Sequence, residues 1–268
     1  FVIVCHLGVA GVALASMISQ FISAFLILRA LLTGKEKYCL RLSEIRFDKR
    51  KAVGILQIGI PSAFQYSLFA FANLFVQSSV NSFDHVLVEG NSAAANADPL
   101  VYDMMAAFYT ACSSFIAQNF GARKKKRILQ TYLICLFYSF ITSLLLGVGI
   151  YLARYPFLYL FTSDKAVVEA GITRLSIMAL SYSASAFMDA SIAASRGLGK
   201  TAVPTFVVVM GSCVFRIIWI YTIFAYFHTI QSLYILYVFS WGITAIAENI
   251  YFFHVYRHTL TGKTESHF

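Results

Sequence analysis

The sequence predicts an all-α integral membrane protein, a polytopic helix bundle with seven transmembrane helices. Composition is the first sign: of 268 residues 59% are hydrophobic and 12% charged, with a mean hydropathy of +0.72. Soluble domains hold roughly 25% charged residues. Second, the apolar residues gather into seven runs of about 20 residues or more, the length a helix needs to cross the hydrocarbon. Third, the runs do not alternate with period two, as the strands of about 10 residues in a membrane barrel would. Inside a bilayer only helices and closed barrels satisfy every backbone group. Low polarity excludes disorder. The 15 Gly, 4 Pro and 5 Cys exclude collagen-like and disulfide-rich classes. Cys5, Cys39, Cys112, Cys135 and Cys213 are scattered with no CxxC pair. Four of them lie in apolar runs, where a thiol behaves as a small hydrophobe.

The spans are expected near 7–28, 53–80, 99–120, 128–152, 171–195, 203–227 and 232–256. The first opens in an apolar stretch with no Met and no charged n-region, so no signal peptide is visible. An odd number of spans starting on the outer side is expected of a fragment with earlier helices upstream. The loop at 29–52 contains LRLSEIRFDKRK, which fits a helix along the inner membrane face. Leu42, Ile45 and Phe47 would dip inward and the basic residues would meet lipid phosphates. A mobile charged linker is the alternative. In the second span Gln57, Gln65 and Asn73 recur every eight residues and share one helix face. That face lines a water-filled cleft or makes interhelical hydrogen bonds, and Pro61 can kink the helix. At the third span Asp98 reads as an N-cap with Pro99 at the first helical position, and Asp103 lies near the outer end.

Charge sets the orientation. Seventeen of the 21 Lys and Arg fall on alternate loops, from Arg29–Lys51, Arg123–Arg127 and Arg196–Lys200 to Arg257 and Lys263. The positive-inside rule then puts the C-terminus in the cytoplasm. This accounts for the net charge of +9 without leaving a basic stripe, so no nucleic-acid partner is expected.

Charges inside a bilayer are costly and face a cavity or a partner. Asp189 in the fifth span is the sharpest candidate: a proton- or cation-binding, or substrate-binding, carboxylate, or else a structural partner of Arg216 in the sixth. Arg216, in VFRIIW, calls for a carboxylate partner or packing between helices. Glu248 in the last span either faces the cleft, or snorkels toward the inner face or hydrogen-bonds within the bundle. Tyr182 belongs to a dense set of aromatic residues suited to the wall of a cavity for organic cations. The cleft-lining candidates are thus Gln57, Gln65, Asn73, Asp103, Tyr182, Arg216 and Glu248. The six His form no metal-ligand spacing, and neither a GxSxG elbow nor a Walker A loop is present. Neither an enzyme nor a metal site is expected.

Four strings in order, GVAGVALASMIS, IGIPSAFQYSLFAFANLFVQSSVN, GNSAAANADPLVYDMMAAFYTACSSFIAQNFGARKKKR and SRGLGKTAVPT, resemble the bacterial branches of the multidrug and toxic compound extrusion (MATE) family. The resemblance runs from about Gly8 to Arg257. Its most specific pieces are Gln118-Asn119-Phe120-Gly121-Ala122 and Arg196-Gly197-Leu198-Gly199-Lys200. It implies the seven C-terminal helices, six to twelve, of a twelve-helix, two-lobed transporter. Residues 1–28 would be the last helix of an otherwise missing N-terminal lobe, 29–52 a cytoplasmic inter-lobe linker, 53–256 the C-terminal six-helix lobe and 257–268 a cytoplasmic tail. The implied function is secondary active antiport in the bacterial cytoplasmic membrane. Drug-like, often cationic organic solutes would leave in exchange for H+ or Na+, with no cofactor beyond the transported ion. The implied partners are the solute, the lipid bilayer and the missing lobe. One branch of the family carries a glutamate where this chain has Phe69 and an aspartate where it has Ser185, so that branch's sodium site is not carried over. A lipid-linked precursor flippase of the same superfamily would need a more basic cleft, to which the spans offer Arg216. An incomplete, non-transporting fragment is the other alternative.

Overall fold

The computed structural model describes residue 6 and residues 8–33, 40–41 and 46–261. The chain divides into two compact units, Phe1–Val53 and Gly54–Phe268. Among the described residues seven helices are long and apolar enough to cross a membrane, as the composition predicts.

The first span is α1 (Gly8–Thr33). Residues 42–45 of the expected amphipathic segment, Leu42 and Ile45 included, lie outside the described residues. Asp48 accepts from the backbone N–H groups of Arg50 at 2.9 Å and Lys51 at 3.3 Å, capping the start of α2 (Lys49–Val80). The third hydrophobic run is two helices: α3 (His85–Ala95), N-capped by Asp84, and α4 (Ala97–Gly121). The polar string GNSAAANADP hides α3 from a hydropathy scan. The fourth span is α5 (Lys125–Leu152), followed by the short α6 (Arg154–Tyr159), and the fifth is α7 (Lys165–Gly197). The sixth, Ala202–Phe227, is α-helical at α8 (Ala202–Val208), α9 (Phe215–Trp219) and α10 (Ala225–Phe227). Two π-helical stretches, Val209–Val214 and Ile220–Phe224, join those pieces. The chain returns through α11 (Ile230–Thr261).

Helix α7 is the centre of the second unit, touching α3, α4, α5, α6 and α11. Its sequence explains why. Long side chains keep helices 8–10 Å apart, but α7 and its neighbours place glycine, alanine and serine at the crossings, which lets backbones meet. A Cβ added at Gly90 of α3 would lie 2.7 Å from the Val167 carbonyl oxygen and 2.8 Å from Gly171 N on α7. One at Gly147 of α5 would run into the Ala179 carbonyl, and one at Gly197 would lie 2.7 Å from the Ser113 carbonyl of α4.

Both specific sequence motifs prove to be helix ends. In RGLGK, Gly199 has φ +76° and Lys200 N bonds to Ser195 O at 3.0 Å. That is the six-to-one closure of a left-handed C-cap, which favours glycine. In QNFGAR the same closure runs from Lys124 N to Asn119 O at 2.9 Å, with Arg123 at φ 55°. Gly197 is in RGLGK for a different reason, the close approach of α4.

Gly147→Val and Gly197→Val are therefore expected to destabilise the bundle by about 1–3 kcal/mol each through overpacking. Gly149→Ala, where an added Cβ meets nothing within 4 Å among the described residues, should leave it unchanged. Thermal unfolding midpoints in detergent would check this, and equal midpoints for all three variants would refute the close-packing account.

Candidate functional site

One face of α7 carries Arg174, Tyr182, Asp189 and Arg196, spaced by eight, seven and seven residues. Two turns of helix take 7.2 residues, so the four line up along the axis. Against this stripe stand α2 and α4 on one side and α11 on the other, enclosing a cleft of about 480 Å³. All its walls belong to the second unit.

At the end where α4 begins, charge is paired. Arg174 is buried; its Nη1 donates to Asn91 Oδ1 at 2.7 Å and its Nη2 to Asp98 Oδ2. The other oxygen of Asp98 accepts from the Tyr182 hydroxyl. Asp98 is thus the acidic member of a buried network. Asn96 sits at the N-terminal boundary of α4, Asp98 lies in its first turn, and the expected N-cap role does not hold. A carboxylate that accepts from a guanidinium and a phenol makes stronger bonds than a capping contact supplies. Tyr182 lies edge-on to Tyr102, with ring centroids 5.9 Å apart. Tyr102, Tyr234, Tyr237 and Trp241 give this end an aromatic wall.

In the middle sits Arg216, fully buried just behind the lining. Its guanidinium lies between the rings of Phe69 and Tyr237, 4.6 Å from each centroid. Nη1 donates to Asn73 Oδ1 at 2.7 Å and Nε to Ser240 Oγ at 3.3 Å. The expected partnership with Asp189 is not formed: two π-faces and two neutral acceptors hold the cation instead. Phe69 supplies one of those faces.

At the other end Arg196 Nη2 donates to Gln65 Oε1 at 3.0 Å, and the Thr205 hydroxyl donates to the same oxygen at 3.3 Å. These bonds tie α2 to α7 and α8. Asp189 is half-buried, lines the cleft, and has no hydrogen-bond partner among the described residues. No salt bridge to it is formed among the described residues.

Of the residues singled out in the sequence, Gln65, Asn73 and Asp189 line the cleft together. Tyr182 and Arg216 lie one layer behind it, bonded to lining residues. Gln57 is exposed, its carbonyl accepting from Thr201 at 3.5 Å, and Asp103 is exposed on α4. Glu248 is fully buried away from the lining. The sequence analysis takes Arg196 only as part of a motif and does not single out Arg174. The seven-to-eight spacing along α7 was the available signal for both.

A family model described as MatE matches residues 61–222. The chain is 24% identical over 204 residues to a protein of Thermotoga maritima called probable multidrug resistance protein NorM, covering 74% of this chain and 43% of that one. To probable multidrug resistance protein YoeA of Bacillus subtilis it is 26% identical over 181 residues, covering 66% of this chain and 39% of that one. The chain thus spans less than half the length of these curated relatives. Among solved structures it superposes on a MOP superfamily transporter from Pyrococcus furiosus with a TM-score of 0.86 at 20% identity, covering 98% of this chain and 59% of that one. An outward-facing multidrug resistance MATE family transporter gives 0.85 at 20% identity, with 97% and 58% covered. At these identities the superpositions establish the fold.

The Arg174–Asp98 pair has side chains 9% and 26% exposed. Removing one partner of such a pair leaves a charge uncompensated, at a cost of about 3–5 kcal/mol. Asp98→Leu alone should therefore lower the thermal midpoint in detergent more than Asp98→Leu combined with Arg174→Met. A double variant as unstable as the two single effects summed would show that the pair is not coupled.

Proposed function

Because the chain belongs to the MatE family, whose members are membrane transporters rather than enzymes, we propose that it forms the C-terminal lobe of a secondary active antiporter. The drug-like organic solutes it exports, cations among them, leave in exchange for H+ or Na+. Helices α2 to α11 correspond on this reading to the second six-helix lobe and α1 to the last helix of the first. The remaining N-terminal helices complete the transporter, which accords with the share of its relatives that this chain spans. The spans lie on this reading in a bacterial cytoplasmic membrane, and the Lys and Arg bias supports a cytoplasmic C-terminus.

One observation carries the proposal: Asp189 lines an aromatic-walled cleft with neither hydrogen bond nor ion pair among the described residues. A carboxylate held in that way inside a bilayer needs a proton, a metal cation or an organic cation as its counter-charge. Exclusive occupancy by one of these couples two fluxes, since a solute can enter only as the coupling ion leaves. The rings of Tyr102, Tyr109, Tyr234 and Trp241 offer apolar and cation-attracting faces to a flat organic solute. Two lobes rocking about such a cleft give alternating access. Multidrug resistance is what the names of the relatives record, and those names lend no support to the lipid-precursor alternative.

Export of a fluorescent cationic dye from cells expressing the full-length protein, under imposed proton or sodium gradients, tests this. Asp189→Asn is expected to reduce gradient-driven export at least tenfold at equal protein level. The gradient that sustains export names the ion. Unchanged export by the variant would remove Asp189 from the coupling site.

A further inference from the structure

The second unit carries its charge unevenly. Arg123, Lys124, Lys125, Lys126 and Arg127 stand in a row across the connection from α4 to α5. The described acids of that unit lie instead at the starts of α3, α4 and α7 or within the spans. None of the five basic side chains closes a salt bridge among the described residues. The Lys125 ammonium lies 5.6 Å over the ring of Tyr256, whose hydroxyl donates to the Lys125 carbonyl at 3.4 Å. Those two contacts fix the start of α5 against the end of α11. The other four basic residues are exposed, and no described acid supplies their counter-charge.

Helix α5 continues this cationic start as an apolar face. Lys126, Gln130, Leu133 and Phe137 follow one another at spacings of four, three and four residues, so they share one side of the helix. Arg127 and Ile134, seven apart, run beside them, and all six are exposed. No residue of α5 lines the cleft, and its packed sides are taken by α4, α6 and α7. Its span is the most apolar of the seven. From Lys126 to Phe137 the helix rises about 16 Å, close to the depth of one leaflet, half of a hydrocarbon core of about 30 Å. Orientation of the chain asks only for positive charge at this end. A cationic patch that passes on the same helix face into leaflet-deep apolar side chains matches the two halves of a phospholipid.

We propose that this face of α5 is a binding site for an anionic phospholipid. Its phosphate sits against Lys126 and Arg127, and its acyl chains lie over Leu133 and Phe137. Basic residues at a membrane surface attract anionic headgroups, and the apolar continuation selects a lipid over a soluble anion. The inference goes beyond the antiport reading and does not depend on it.

The test is native mass spectrometry of the full-length protein in nonionic detergent, titrated with phosphatidylglycerol or phosphatidylcholine and challenged with sodium phosphate. Phosphatidylglycerol is expected to be retained at least tenfold more tightly than phosphatidylcholine. Lys126→Gln combined with Arg127→Gln should cost at least one retained phosphatidylglycerol per protein, while Lys165→Gln, at the start of α7, should cost none. The charge-keeping exchange Lys126→Arg with Arg127→Lys should retain the full complement. On the unaltered protein, raising salt from about 0.05 to about 0.5 M should weaken phosphatidylglycerol several-fold and leave phosphatidylcholine unchanged; this measurement decides the matter if the double Gln variant fails to accumulate. Equal retention of the two lipids, retention indifferent to the double Gln variant or to salt, or a loss as large in the charge-keeping exchange overturns the proposal. Displacement of the lipid by equimolar phosphate would show a site for a soluble anion and overturns it as well.

Discussion

The architecture depends on one constraint, the contact distance at α7. Three helices, α3, α4 and α5, meet its backbone at glycines where a single methyl group would collide with a carbonyl, an amide or a neighbouring side chain. In lipid the hydrophobic effect does not drive helices together, so close van der Waals contact has to. A helix surrounded that tightly is withdrawn from lipid along most of its length, and polar groups on it become affordable. That is why the charged stripe of the cleft lies on α7 and not on the lipid-washed α2, whose polar residues meet it from outside.

Along the stripe the charges are treated in three ways. Arg174 is bonded through its two terminal nitrogens to Asn91 and Asp98 at one end. Arg216 is caged behind the middle by two rings, an amide and a hydroxyl. At the far end Arg196 has one guanidinium nitrogen committed to Gln65. The first two arrangements are rigid and favour a single geometry. The third holds its guanidinium by the fewest hydrogen bonds of the three.

Much of this is legible in the sequence and some is not, for physical reasons. Hydropathy finds the seven spans because a bilayer demands long apolar helices. It misses α3, whose small polar residues pack against α7 through Gly90 rather than against lipid. The motifs QNFGA and RGLGK identify the family, but only the backbone shows that both are left-handed helix ends. The eight-residue spacing of Gln65 and Asn73 finds one wall of the cleft, while Gln57, a further step along, falls on exposed helix. Asp98 looks like a cap because Pro99 follows it, and only the fold brings Arg174 and Tyr182 to its oxygens. The partner of Arg216 could not be read at all: rings and neutral amides leave no charge pattern in a sequence.

The sixth span is also a mechanical element. A π-helical turn is wider than an α-turn and marks places where helices bend. Here two such turns flank the five residues Phe215–Trp219. The span is therefore a stiff link between two compliant joints, and its cargo is Arg216, clamped to α2 through Asn73 and to α11 through Ser240. The fixed cation can keep its seat while the ends of the rod turn about it, as a universal joint lets a shaft change direction without letting go of its bearing.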